Sequence, residues 1–257
     1  MQASQDDNGG VCGGISTVDI TVRYQVKWSV NGNDSYSTGS PTTYISTHNT
    51  KVSTLPTAPG SALCDNSKSF VGWTKTAIDG STNTVPSDLF TTVANSPSIT
   101  GNTTFYAVYA TTGTATFAAA NITNTPATGN TREWGHTASG TLLYISDGQR
   151  YTGGTPNTWT VTKSTSNYAR FTAGTGKTII KIVATLSGSD YKINSVTKGT
   201  LSTSSTTQTI VDIKSNTIDC KATSGNQIRI TTADVIYGSA FATSCCTALG
   251  SINGSFF

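Results

Sequence analysis

Apolar and polar residues alternate along this chain with a period of two. From residue 20 to 30, Ile20, Val22, Tyr24, Val26, Trp28 and Val30 fall on one face, while Thr21, Arg23, Gln25, Lys27 and Ser29 fall on the other. Such alternation predicts a strand with one face on a core and one in water. Asn31-Gly32-Asn33-Asp34 then signals a turn. Tyr44-Ile45 and Lys51-Val52 read as a short second strand and its continuation. Pro56 and Pro59 break the pattern, and residues 60–69 form a polar loop. Residues 70–74 and 104–110 read as two more strands. Between them, residues 86–90 suit a single helical turn capped by Ser87 or Asp88.

The second half repeats the pattern more densely. Strand-like runs cover residues 115–119, 141–146, 158–163, 168–172, 178–185, 191–196, 209–213, 217–222 and 227–237. Gly, Ser, Asn and Asp punctuate them, most clearly at Asp147-Gly148, Gly153-Gly154, Gly174-Thr175-Gly176 and Ser224-Gly225-Asn226. Many short strands without a credible helix predict a two-sheet sandwich of jelly-roll type. The Thr/Gly stretch at 110–113 reads as a linker. The expected organisation is a tail or linker over 1–15, one module over 16–111, a sandwich over 112–238, and a linker plus the start of a following module over 239–257.

Composition narrows the class. The chain has 257 residues, and 35% are hydrophobic, with 10 Tyr, 8 Phe and 4 Trp to build cores, which rules out a disordered low-complexity reading. Only 11% are charged, against about 25% in typical soluble domains, so solubility rests on hydroxyls and amides. The abundant Thr is β-branched and favours strands. Net charge is +3 and the basic residues are scattered, whereas a nucleic-acid binder gathers them into a patch. No run of about 18 apolar residues exists, so membrane insertion is not expected. Residues 1–10 lack the apolar stretch of a signal peptide. The chain stops at Ser255-Phe256-Phe257 in what reads as a new strand, and both ends look like cuts through a longer polypeptide.

Particular residues sharpen the picture. An opening alternating strand from Val22 to Trp28 is followed by Lys51-Val52, Leu55-Pro56 and Pro59. Then come Phe70-Val71-Gly72-Trp73 and Asn102-Thr103-Thr104-Phe105-Tyr106-Ala107. This order resembles the internalin B-type, or Listeria–Bacteroides, repeat. The resemblance implies a small β-grasp-like module of bacterial surface proteins with no catalytic residues, in which Phe70, Gly72, Trp73 and Tyr106 are structural. Gly72 is expected to permit a close backbone approach, and Trp73 to be core. Residues 112–238 resemble a β-sandwich of secreted Bacteroidetes-type proteins, through the run at 177–183 and the terminal strand ending at Tyr237. Galactose-binding-like sandwiches share that outline.

Candidate chemistry is sparse. Gly174-Thr175-Gly176-Lys177-Thr178 mimics a phosphate loop, but Phe171 stands where the first glycine belongs and a β-branched strand follows instead of a helix. It reads as a hairpin turn. The histidines, His48 and His136, lie in different modules, so neither a metal site nor a Ser-His-Asp set is expected. Glu133 is the sole glutamate, and most aspartates sit in turns, whereas glycoside hydrolysis needs two flanking carboxylates. Glu133-Trp134-Gly135-His136 is the best recognition candidate: a loop Trp134, with Tyr151, Trp159 and Tyr144 nearby, suits stacking on a sugar face. The more economical reading is that these aromatics fill the sandwich core or cover its edge. Cys220 alternates with Ile218 and Ala222 and reads as a buried thiol. Cys12 and Cys64 belong to loops around the first module and are candidates for a disulfide in an oxidising compartment. Cys245-Cys246 lacks zinc-site spacing.

The expected function is thus a non-catalytic, all-β segment of an extracytoplasmic bacterial cell-surface or secreted multidomain protein. It would act as an adhesive or spacer module without a cofactor, and its partner would be a host or cell-surface glycan or protein. Two rivals stand beside it: a carbohydrate-binding accessory region of a secreted glycan-acting enzyme, and a structural fibre component of a phage.

Overall fold

The computed structural model describes residues 22–33, 36, 42–45, 47–61, 67–121, 133–148, 150–151, 158–202, 206–223 and 227–245. Fifteen strands and two short 3-10 turns, Val93–Asn95 and Ala119–Asn121, make up the regular structure of these residues. The protein is all-β.

In the first unit, β1 (Tyr24–Ser29), β2 (Thr42–Ile45), β3 (Ser69–Thr74) and the start of β4 (Thr103–Ala118) lie in the order β2-β1-β4-β3. The central pair β1/β4 is parallel, from Val26↔Thr103 to Ser29↔Tyr106, and the outer pairs are antiparallel. The sheet is mixed, and this unit contains no α-helix among the described residues. The expected alternation is realised from Tyr24 to Val30, whereas Val22 is exposed and precedes the strand, and Ile20 lies outside the described residues. Lys51-Val52 is not strand: the chain is tied just before it by Ile99 N donating to the Thr50 carbonyl and Asn49 N donating to the Ile99 carbonyl, and Val52 is buried. Residues 86–90 form a turn, not a helical cap. The Asp88 carboxylate instead accepts from Thr74 Oγ1 at 2.6 Å and Lys75 N at 2.7 Å, pinning the end of β3.

An aromatic cage fills this unit. The Trp28 and Trp73 rings meet edge to face at 4.8 Å, as do Phe90 and Phe105 at 5.0 Å, and Trp28 and Phe105 pack at 4.9 Å with planes tilted by 33°. All four are essentially unexposed, and edge-to-face pairs of this kind add about 0.5–1.5 kcal/mol beyond area burial. Gly72 makes the cage possible. At φ +148 it sits at a bulge in β3, and a Cβ there would lie 2.8 Å from the Phe90 carbonyl oxygen and 2.9 Å from Leu89 Cδ1. The close approach lets Trp73 and Phe90 exchange two backbone hydrogen bonds, each 2.9 Å.

The second unit is a two-sheet sandwich. One sheet is five-stranded, in the order β11 (Ser195–Val196), β14 (Thr217–Lys221), β9 (Ala169–Thr172), β6 (Thr141–Ile145), β5 (Trp134–Ala138). The other contains β12 (Thr200–Leu201), β13 (Thr207–Ser215), β10 (Thr178–Leu186), β15 (Ile228–Ala242) and β4, with β8 (Thr158–Val161) and β7 (Arg150–Tyr151) attached. Phe117, Trp159, Ile182, Ile230 and Val235 from the larger sheet face Leu143, Phe171 and Ile218 from the smaller one in one buried cluster. The 173–177 turn is not a hairpin. It carries the chain from β9 in one sheet to β10 in the other, closed by Lys177 N donating to the Gly174 carbonyl at 3.1 Å.

The two units share a sheet. β4 is 16 residues long and passes straight through 110–113, so the stretch expected to be a linker is strand. Tyr109 is paired on both sides, with Phe70 of β3 and with Ala242 of β15. β15 therefore meets β1 end to end along one edge of β4, and Cys245 N donates to Asn31 Oδ1 at 2.8 Å. Gly113 is the partner of Tyr237, whose ring occupies the space a Cβ would need, 2.6 Å from the phenolic oxygen. Residues 239–242, also expected to be linker, complete β15. Phe241 is fully buried with Val71, Val85, Leu89, Val108 and Ala110 in a third core cluster between the other two.

Side chains lock the same joint. Thr91 Oγ1 donates to Asp212 Oδ1 at 2.9 Å, and Asn95 Nδ2 bonds the other carboxylate oxygen. Lys214 Nζ donates to the Ser87 carbonyl at 2.9 Å, and Ala240 N to Asn83 Oδ1 at 3.0 Å. Asp212, Lys214 and Ala240 have φ of +55, +52 and +51. Left-handed backbone at non-glycine residues persists where surrounding contacts fix it, and each of these three bonds the 83–95 segment. Burial lowers the Lys214 pKa, offset in part by Asp212 and Asp88.

Candidate functional site

The aromatic cluster expected to bind a ligand does not present itself to solvent. Trp134 begins strand β5 rather than lying in a loop. It is 7% exposed and Trp159 is 0% exposed, and their rings meet edge to face at 6.2 Å inside the sandwich core. Rings with both faces in a core cannot stack on a sugar, so these two are corrected to core residues. Their indole N–H groups are buried without a partner among the described residues. Tyr151 lies in β7, paired with Thr158. Phe70 and Trp73 pack in the first core, and Tyr106 lies on β4 opposite Ser29 and Thr74.

Other expected positions are also settled. His48 Nδ1 lies 3.1 Å from Tyr24 Oη, and His136 edges against Phe117, so the two imidazoles stay in separate units. Among the described residues no cluster of three His, Cys, Asp or Glu is placed to hold a metal. Cys220 is a free, fully buried thiol whose pKa burial pushes up to about 12. Cys12 and Cys64 lie outside the described residues. Cys245 is disulfide-bonded, with its partner also outside them. A shallow cleft of about 340 Å³ opens between Thr76, Ile78, Thr82, Val85 and Asp88, but both Asp88 oxygens are already bound to β3.

The best-organised polar surface is the outer face of the five-stranded sheet. Ile218 and Cys220 of β14, Phe171 of β9 and Leu143 and Ile145 of β6 point into the core, so alternate residues point outward. Register sets a straight row across four strands: Gly135, Tyr144, Arg170 and Asp219. Arg170 Nε and Nη2 donate to the two Asp219 oxygens at 2.6 and 2.9 Å, a bidentate pair that fixes the guanidinium plane. The Arg170 guanidinium also lies 4.6 Å from the Tyr168 ring centre. Asp219 N donates to Thr197 Oγ1 at 2.9 Å. Tyr144 and Tyr168 rings stand 6.0 Å apart, tilted by 47°. Desolvation first, then a hydrogen bond to Glu133, raises the Tyr144 pKa.

Neither family models nor curated proteins nor solved structures match this chain.

The row contains no nucleophile beside a base. Arg170 and Asp219 neutralise each other. What the arrangement offers is a rigid, nearly charge-balanced aromatic surface. The sequence-level candidate Glu133-Trp134-Gly135-His136, with Tyr144 nearby, contains Gly135 and Tyr144 of this row but neither Arg170 nor Asp219. Those two are 49 residues apart, and only the register of β9 with β14 brings them together.

Proposed function

We propose that this chain is a non-catalytic segment of a bacterial cell-surface or secreted multidomain protein, serving as a stiff spacer that carries an adhesive face. The observation that carries the reading is the shared sheet. Strands β4 and β15 both run through the joint, and Phe241, Asp212 and Lys214 tie the first unit to the sandwich. A segment that must hold a ligand-bearing face at a fixed distance benefits from such a joint, whereas a catalytic pair of domains closing on substrate needs a hinge. The order of motifs resembling the internalin B-type repeat supports a surface role. The oxidised Cys245 supports an oxidising compartment.

The test is rotational. Backbone relaxation of β1 and β3 amides and of β9 and β14 amides should give one common correlation time, and antibodies to this chain should label intact cells of the source organism. Two distinct correlation times, or labelling only after lysis, would refute the reading.

A further inference from the structure

We infer that the outer face of the five-stranded sheet binds a neutral glycan, with Tyr144 as the stacking platform and Arg170 as the oriented donor. The inference rests on the adhesive half of the proposed function. Its failure would leave the spacer half, read by rotational tumbling, untouched.

Four observations lead there. First, the tyrosines of the sandwich are not equivalent. Arg170 covers Tyr168, Lys177 Nζ lies 4.3 Å from the Tyr237 ring centre, and the Arg229 guanidinium lies 4.1 Å from that of Tyr191. Tyr144 carries no such cation among the described residues. Second, its direct cross-strand neighbour on β5 is Gly135, which is exposed and has no side chain to lay against the ring. Opposed Cβ positions in an antiparallel pair stand about 4.5–5.5 Å apart, so a glycine there leaves Tyr144 without a cross-strand side chain on that flank, in a shallow notch floored by Leu142, whose Cδ1 lies 3.6 Å from where a Cβ would sit. Third, the polar groups flanking the notch are prealigned. The Asp219 fork uses Nε and Nη2 of a 43%-exposed Arg170, leaving N–H groups of that guanidinium in a fixed plane. A pyranose presents an apolar face of C–H bonds and a rim of hydroxyls, and this set of groups matches both. Fourth, the charges are already paired. An acidic polymer would have to break the Arg170–Asp219 fork to gain a partner, so a neutral ligand fits better. The next outward row adds the 42%-exposed Leu142 between Thr137 and Thr172, an apolar step flanked by hydroxyls that would extend the contact to a second sugar unit.

The experiment is native-gel affinity electrophoresis of the 257-residue chain through dextran, laminarin, galactomannan and xylan, with polygalacturonate as the acidic counter-probe. At least one neutral polysaccharide should retard the protein. Tyr144→Ala should weaken retardation at least tenfold, while Tyr144→Phe, which keeps the ring, should stay within about threefold. Gly135→Val should also abolish retardation, because a Cβ there meets nothing closer than 3.5 Å and β-branched residues suit strands, so the fold is kept while the notch is filled. Tyr191→Ala should bind as the parent does. If no neutral gel retards the chain, or polygalacturonate retards it more, the inference fails. It also fails if Gly135→Val and a folded Tyr144→Ala migrate like the parent. Should Tyr144→Ala lose its circular dichroism melt, Gly135→Val and Tyr144→Phe decide alone.

Discussion

Replacing Phe241 with alanine tests whether the two units are one body. By pattern alone, Phe241 sits in a small, polar stretch outside both modules, and its loss should change stability by no more than about 0.5 kcal/mol, as for ordinary surface positions. In the structure it is 0% exposed and packs among Val71, Val85, Leu89, Val108 and Ala110, while its backbone exchanges bonds of 2.7 and 2.9 Å with Thr82. Truncating a fully buried Phe costs about 3–5 kcal/mol, transfer and cavity terms together, a large fraction of the roughly 5–15 kcal/mol that holds a domain folded. With a urea m-value of about 3 kcal/mol/M, the midpoint should fall by about 1–2 M. Because β15 runs through both units, hydrogen exchange should quicken in β1 and β3 peptides and in β10 peptides together. An unchanged midpoint, or loss of protection confined to one unit, would refute the shared-joint reasoning.

Two further outcomes follow from the same geometry. Gly72→Ala forces a Cβ to within 2.8 Å of the Phe90 carbonyl oxygen at a φ of +148. This should lower stability by about 1–3 kcal/mol, or the melting temperature by about 3–10 °C at this size, and a melt unchanged within 1 °C would contradict it. The buried Cys220 thiol, raised from 9.0 to about 12, keeps its proton in the folded state where the unfolded chain loses it. Stability should therefore be indifferent to this group below about pH 9 and fall as pH rises from there towards 12. Cys220→Ala should flatten that decline, and iodoacetamide at pH 8 should label Cys220 only in denaturant. Labelling of the native protein would mean the thiol is not enclosed.

What the sequence disclosed follows from what a strand exposes. β1, β6, β9 and β14 each have one face in a core, so apolar residues recur every second position and the strands are legible without knowing their partners. β5 escaped because Trp134, His136 and Ala138 alternate inward in a weak version of that signal. Only Trp134 among them is strongly apolar, and Gly135 and the turn after Ala138 suggest a loop. The Arg170–Asp219 fork is invisible to periodicity, since nothing local specifies which strand pairs with which.

The joint is hidden in the sequence for a different reason, because composition misleads there. Thr111-Thr112-Gly113 and Gly238-Ser239-Ala240 look like linkers because their residues are small and polar. Small residues serve two opposite ends: they loosen a chain in solvent, and they let strands and rings approach closely in a packed region. At Gly113 the space of a Cβ is filled by the Tyr237 ring. At Gly238 a Cβ would meet the Phe241 ring at 3.0 Å and Ala110 Cβ at 3.3 Å. The distinguishing mark in the sequence is Phe241 itself. A solvated linker has no use for a large aromatic residue among alanines, whereas a strand crossing from one core to another needs an anchor where the cores meet. Lone aromatics within small-residue runs are therefore better read as sites of close packing, and the surrounding glycines as what allows it.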